Sequence, residues 1–270
     1  MRRTAAAGLA VAGVAGAGSL VAGCGGSGEA PGITRTVALA HATLGTERAV
    51  VYRDALEVGA RGRLQDHPAG AIACVQEGRV LLAVNGAAGA ALRPGECRLL
   101  ARGSDAVVEN EGSGPAALFV TAGTGQAAHA GHGTNGAAHS MPPTAIINGS
   151  AVPGRRTDLV SSTTVLDARR PGGDRVMVMR GVRAAGTRAP IHVHPYGGVT
   201  CIAQGQGTLY AQGSAPGTVR AGECVEMKPD TPMANSNRGT TPTVMLDQFV
   251  LPGGGDRWRV IEPDAPGQYS

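Results

Sequence analysis

The residues of this 270-residue chain best suited to chemistry lie late in it, where His192 and His194 are one residue apart and Tyr196 follows. Successive side chains of an extended strand point to opposite faces, so a His-x-His pair sets both imidazoles on one face, where they can chelate a transition metal. A lone His67, two residues after Gln65, stands far upstream. His129, His132 and His139, with Met141, form a looser run among Gly, Ala and Asn, a composition that suits a solvated linker better than a metal tract. Four cysteines, Cys74, Cys97, Cys201 and Cys224, lack any C-x-x-C spacing, which argues against a thiolate metal site. In an oxidising compartment an even count points to disulfides, and four cysteines allow three pairings.

The compartment is legible at the N-terminus. Met1, Arg2 and Arg3 precede an uncharged Ala, Gly, Val and Leu run over 5–21, a basic segment followed by an apolar one, as in a secretory signal. Leu20-Val21-Ala22-Gly23-Cys24 resembles the lipobox at which bacterial lipoprotein signals are cut and the cysteine acylated. Residues 1–23 are therefore expected to be a signal peptide, Cys24 the lipidated mature N-terminus, and 24–32, rich in Gly, Ser and Pro, a flexible tether. The expected location is the outer face of the cytoplasmic membrane, with the lipid anchor as the membrane contact and the export route left open.

With 43 glycines, 17 prolines and only 16% charged residues, the remainder suits a turn-rich all-β protein. The net charge of +4 is dispersed, with no basic stripe interleaved with aromatics, so nucleic acid is not an expected partner. The elements that must position the histidines appear in an internal repeat. Adding 127 to a position in the first half lands on its twin: Gly59 on Gly186, His67-Pro68 on His194-Pro195, Cys74 on Cys201, Gly78 on Gly205, Gly95-Glu96-Cys97 on Gly222-Glu223-Cys224, and Asn110 on Asn237. Such coincidence marks two copies of one domain. Each copy reads as short apolar segments, among them 49–52, 71–76, 80–84, 97–100 and 117–121, spaced by about 8 to 12 residues and broken by Gly and Pro, the pattern of a sandwich or barrel.

In the second copy Gly186, His192, His194, position 198 and Gly205 reproduce the spacing G-x5-H-x-H-x3-E-x6-G, with Gly198 in place of the glutamate. From Gly222 the chain resembles a second motif, G-x5-P-x-G-x2-H-x3-N, with Asn237 in place, Pro229 one residue late and Met233 at the histidine position. These are the two motifs of the cupin family, which the chain resembles across both repeats. The resemblance implies two tandem cupin-like jelly-roll β-barrels, a bicupin, spanning 33–123 and 159–252, with a Gly/His-rich linker over 124–158 and a C-terminal tail over 253–270. It also implies disulfides Cys74–Cys97 and Cys201–Cys224, because in the cupin barrel the strand after motif one lies beside the strand opening motif two.

The family's metal is held by three imidazoles and one carboxylate. Here the resemblance implies one divalent transition metal in the second copy, among copper, iron, manganese, nickel and zinc, on His192 and His194. Met233 supplies a thioether that suits copper better than the hard ions. Glu223 and Glu226 precede Met233 and offer a rearranged ligand. The first copy has Gln65, His67, Ala71 and Ala106 at the matching places, and a lone His cannot chelate. Tyr196, Glu226, Gln65 and His67 are the expected pocket residues. Three functions follow: a lipid-anchored binder of a small molecule, a metal-dependent oxygenase or isomerase, or an extracytoplasmic copper handler. A homodimer is compatible with each.

Overall fold

The structure is a computed structural model that describes residues 30–64, 69–126 and 141–264. The first repeat holds β1 (Ile33–Leu44), β2 (Glu47–Leu56), β3 (Arg61–Arg63), β4 (Ala71–Glu77), β5 (Val80–Val84), β6 (Ala90–Leu92), β7 (Cys97–Leu100), β8 (Ala106–Asn110) and β9 (Ala116–Gln126). The second holds β10 (Arg155–Arg156), β11 (Ser161–Arg169), β12 (Arg175–Arg183), β13 (Thr187–Arg188), β14 (His192–Val193), β15 (Gly198–Gln204) and β16 (Gln206–Ala211). It continues with β17 (Gly217–Arg220), β18 (Cys224–Met227), β19 (Met233–Ser236), β20 (Thr243–Leu251) and β21 (Arg259–Val260). In the first barrel a sheet ordered β1-β2-β9-β4-β7 faces one ordered β3-β8-β5-β6; in the second, β11-β12-β20-β15-β18 faces β10-β13-β19-β14-β21, with β16 and β17 joined to the latter through β19. These are the two jelly-roll barrels in tandem that the resemblance implied.

The two five-stranded sheets pack against each other, and this explains the unbroken apolar runs of their central strands. In β4 and β15 the first six residues are all buried, because one face fills a barrel and the other meets the neighbouring barrel. The shared core joins Val51, Ile72, Cys74, Cys97 and Phe119 of one repeat to Val178, Val199, Cys201, Cys224 and Leu246 of the other. Both disulfides lie in it, Cys74–Cys97 across β4 and β7 and Cys201–Cys224 across β15 and β18, as expected. Each closes a loop with a sequence separation of 23, worth about 3 kcal/mol by the chain-entropy model.

Main-chain bonds reinforce the contact: Gly45 donates its N–H to the Tyr196 carbonyl at 2.9 Å, and Leu44 forms an antiparallel bridge with Gly197. The repeat recurs in its turns. Gly78 and Gly205 take φ of 75° and 74°, and a Cβ at either would strike the Pro115 or Pro242 carbonyl oxygen at 2.7 or 2.6 Å, so only glycine serves at these twin positions. Asn110 and Asn237 each bond carbonyls upstream and downstream and accept the N–H of Gly112 or Gly239.

Two segments assigned to linker and tail contribute to the second barrel. Within 141–158, Ile147 and Val152 are buried against Ile191, Val193, Tyr210, Ala234 and Ile261, and β10 pairs with β13. Two apolar anchors without periodicity hold this segment, and nothing in the local pattern marks them. Within 253–264, β21 pairs with β14, and Ile261 and Glu262 are buried. Residues 127–140, with His129, His132 and His139, lie outside the described residues, as do Cys24, Gln65 and His67.

Candidate functional site

The His-x-His pair begins on β14 and ends on the residue after it, where His194 bridges to Pro229; the outward Val193 is sealed by Ile147 and Val152 while both imidazoles face the barrel interior. His192 and His194 are 7% and 4% exposed. The Nδ1 of His192 lies 2.8 Å from the Pro190 carbonyl, and that of His194 lies 2.7 Å from the Arg257 carbonyl. A carbonyl only accepts, so these partners assign the proton to Nδ1 in both rings and leave both Nε2 atoms as lone pairs. Those two Nε2 atoms face each other at 3.1 Å. Two lone pairs so close repel unless a cation lies between them, and imidazoles oriented by carbonyls on their far nitrogens are the usual arrangement of metal-binding histidines. Burial pushes His192 down to about 4, against the pull of the Pro190 carbonyl, with the Arg183 charge adding to it. Burial and the neighbouring His192 take His194 to about 3. Both rings are therefore neutral at pH 7, the form that ligates metals.

The C-terminal segment clasps this pair. Besides the Arg257 carbonyl it brings the Trp258 ring to a centroid distance of 4.8 Å from His192. It is held by β21 on β14 and by Glu262, which takes both Arg188 nitrogens at 2.7 and 2.8 Å and the Ile191 N–H at 2.8 Å. On the other side Phe249 lies 5.3 Å from His194 between ring centroids.

Met233, 1% exposed, is the cross-strand partner of His192 on β19 and shares an interior cluster with Met227, Phe249, Leu251, Met179 and Tyr196. The expected thioether thus stands on the strand adjoining the imidazoles. A family-type carboxylate does not fit beside it: a Cβ at Gly198 would already lie 2.6 Å from Met227 Cε and 2.9 Å from the Phe249 ring. Among the described residues no three His, Cys, Asp or Glu side chains converge. The residues present therefore suit a soft ion held by two imidazoles and a thioether, and do not suit the oxygen-liganded hard ions.

Glu226 corrects an expectation. It alternates on β18 with Met227, which faces the interior, so it projects with Cys224 toward the first barrel, where it accepts the Thr43 N–H at 2.9 Å. Glu223 accepts the Arg220 N–H at 2.7 Å in the preceding turn, so neither carboxylate is a rearranged ligand. Tyr196 packs on the interior cluster, its ring against Gly255, where a Cβ would meet it at 2.3 Å.

Sequence reasoning missed Arg183, Thr200 and Asp247. Asp247 accepts from Thr200 Oγ1 at 2.8 Å, and burial pushes its carboxyl up to about 6, against the Thr200 bond and the charges of Arg183 and Arg257. It lies on the interior face of β20, half-buried, so that water reaches part of its surface. The missed signal lies in the repeat: at the offset of 127 these three residues stand opposite Leu56, Ala73 and Val120, charged or polar groups where the twin keeps an aliphatic core.

No protein-family model matches the sequence. No curated protein matches it either. Among solved structures, AerE from Microcystis aeruginosa matches with a TM-score of 0.51 at 11% identity over 75% of this chain and 88% of that one. Oxalate decarboxylase from Bacillus subtilis, a protein with Mn(II) centres, matches with a TM-score of 0.50 at 12% identity over 80% and 76%. A cupin 2 conserved barrel domain protein from Leptotrichia buccalis covers 82% of this chain and 90% of its own at 12% identity and a TM-score of 0.46. The likeness to the first two speaks to architecture alone, and with the duplicated jelly roll and the motif spacing it gives this chain a bicupin fold.

Proposed function

We propose that the second barrel binds one soft transition-metal ion, copper(I) before the others, through His192, His194 and Met233, in an interior that also admits a small molecule. The observation that carries this is the pair of Nε2 lone pairs facing each other at 3.1 Å, with both Nδ1 protons committed to backbone carbonyls. Nitrogens bound at ~2.0–2.1 Å to one ion can span that separation. Supporting it, all the methionines beyond Met1 and Met141 lie on strands of the second barrel, while residues 33–126 contain none. Bound there, copper supplies a one-electron redox couple in a shielded interior. The chain's own contribution is orientation: Pro190 and Arg257 hold the imidazoles, and Trp258 and Phe249 keep bulk water from them.

Anaerobic titration against a chromophoric copper(I) chelator tests the reading. One ion per chain is expected, lost in His192→Ala and His194→Ala; absence of binding by the wild type, or binding indifferent to both changes, contradicts it. We further propose that the protein works outside the cytoplasm on a lipid at Cys24, which the run Leu20 to Cys24 supports. Cys24→Ser should then leave the membrane fraction, and unchanged partitioning contradicts the anchor.

A further inference from the structure

The C-terminal segment changes character between two fixed points. Leu251 ends β20 and is buried; Ile261 and Glu262 are buried again, and both donate their N–H to the Ile191 carbonyl, at 3.0 and 3.1 Å. Between these points the chain runs over the histidine pair. There Gly253 and Asp256 are exposed, and Pro252, Gly255, Arg257 and Trp258 are half-buried. Among the described residues, Pro252, Gly253, Gly255 and Asp256 make no main-chain hydrogen bond to the barrel; the Gly255 N–H turns back to the Pro252 carbonyl at 3.0 Å. What fastens the stretch is the Arg257 carbonyl on His194 Nδ1 at 2.7 Å, Trp258 against His192, and the Tyr196 ring lying on Gly255.

The other covers of the pair are of a different kind. Phe249 belongs to β20, which is paired along both edges, by β12 and β15, and the side of Val193 is closed by the buried Ile147 and Val152. Moving either means breaking a sheet or a core, whereas lifting the clasp needs neither. Its near end is also built to turn. Gly253, Gly254 and Gly255 follow one another, and Gly253 takes a φ of 57°, in the left-handed region, although a Cβ there would meet nothing within 4 Å. Glycine serves at that position for its backbone freedom and not for want of space. Successive residues without side chains absorb large φ and ψ changes, as hinges do.

We propose that Pro252–Trp258 is a lid over the histidine pair, hinged on these glycines and held at its far end by Ile261 and Glu262, and that its opening gives access to His192 and His194. Closure seats the Arg257 carbonyl on His194 and so holds the Nε2 of that ring toward His192. An ion that needs both nitrogens therefore favours the closed state. The motion itself is independent of the metal; its coupling to an ion rests on the copper reading.

The test uses the full chain in detergent, grown with fluorotryptophan, which labels Trp258 alone because the chain has one tryptophan. In the metal-free wild type the fluorine resonance should show exchange between a closed and an open state on the microsecond-to-millisecond timescale of lids. Gly253→Ala should raise the open population about fivefold or more, since the strain of a left-handed alanine falls on the closed backbone, whereas Gly253→Asn, which accepts that conformation, should stay near the wild type. Copper(I) should collapse the exchange onto the closed state, and Gly253→Ala should take copper(I) from a chelator faster than the wild type does. A single unexchanging resonance in both the wild type and Gly253→Ala overturns the lid, as does exchange that is the same with and without bound copper(I). Exchange that follows the Gly253 variants in a protein that takes no copper leaves the lid standing and removes the copper reading. An immobile Trp258 in a protein that binds copper does the reverse.

Discussion

The two barrels are copies in their outer construction and opposites inside. Both have the disulfide, the twin glycine turns, the Asn110 and Asn237 anchor and a sheet buried on two faces. Inside, Leu56, Ala73, Leu100, Ala106 and Val120 of the first pack into one aliphatic core, and their twins at the offset of 127 are Arg183, Thr200, Met227, Met233 and Asp247. The residues that make the fold stand in both copies, while at these interior positions the charged, hydroxyl and thioether side chains stand in the second. Burying the aliphatic core of the first barrel stabilises outright; two lone pairs face to face cost the second barrel stability that a bound cation would restore. The five-stranded sheet of the first barrel is one wall of the core on which the second is built.

The comparison breaks most readily at the histidines. His192→Ala or His194→Ala should reduce copper(I) affinity beyond detection, since either leaves a single imidazole at the site, and His67→Ala should leave it unchanged; chelator competition measures both. Loss of binding in His67→Ala would make the barrels partners rather than scaffold and site. Removing the disulfides should affect the barrels alike: Cys74→Ser with Cys97→Ser, or Cys201→Ser with Cys224→Ser, should each cost about 3 kcal/mol of unfolding free energy in urea titrations, and a much smaller loss in one copy would show that the symmetry of the shared core is only apparent.

A smaller effect sharpens the contrast between Val120 and Asp247. The folded state holds the Asp247 carboxyl up to about 6 from an ordinary 3.8, so it binds a proton there that the unfolded chain has released. Ionising it therefore subtracts stability as pH rises from about 4 through 6. Asp247→Asn should match the wild type near pH 4 and exceed it by about 1–2 kcal/mol at pH 8, after allowance for partial contact with water; a constant difference across pH contradicts the assignment. The smallest effect concerns the clasp. Although burial opposes it, the Arg188 bonds, the Ile191 N–H and the charges of Arg188 and Arg156 hold Glu262 below the usual carboxylate range. The stability it contributes is present above that range and lost as pH falls through the lowered value. Glu262→Gln should cost about 1 kcal/mol at pH 7, less as acid is added, and should weaken copper binding by loosening Arg257 from His194.

Much of this was readable from the chain. The offset of 127 and the motif spacing exposed the duplicated barrel because turn glycines and paired cysteines are demanded by backbone geometry, which leaves little choice of residue. His192, His194 and Met233 came from the same spacing. Glu226 misled because alternation assigns a face without saying what covers it, and here the other barrel does. Asp247 escaped as the one charge of an otherwise apolar strand, and Arg183 because it ends a strand that also carries Arg175 and Arg180; strand pairing alone turns both inward. Gly198 is legible only in three dimensions: its cross-strand neighbour Phe249 fills the space of the missing glutamate, whereas the twin pair Ala71 and Ala122 is small on both sides. Restoring a manganese site by Gly198→Glu with Met233→His therefore requires Phe249 to be cut back as well.

The central claim, that the second barrel alone carries a soft-metal site of two imidazoles and one thioether, is tested most directly by X-ray absorption on the copper(I)-loaded protein. The account predicts two nitrogen neighbours and one sulfur neighbour for copper, with the sulfur lost in Met233→Leu and the nitrogens lost in His192→Ala. A spectrum of oxygen neighbours only, or one unchanged in both variants, would contradict it.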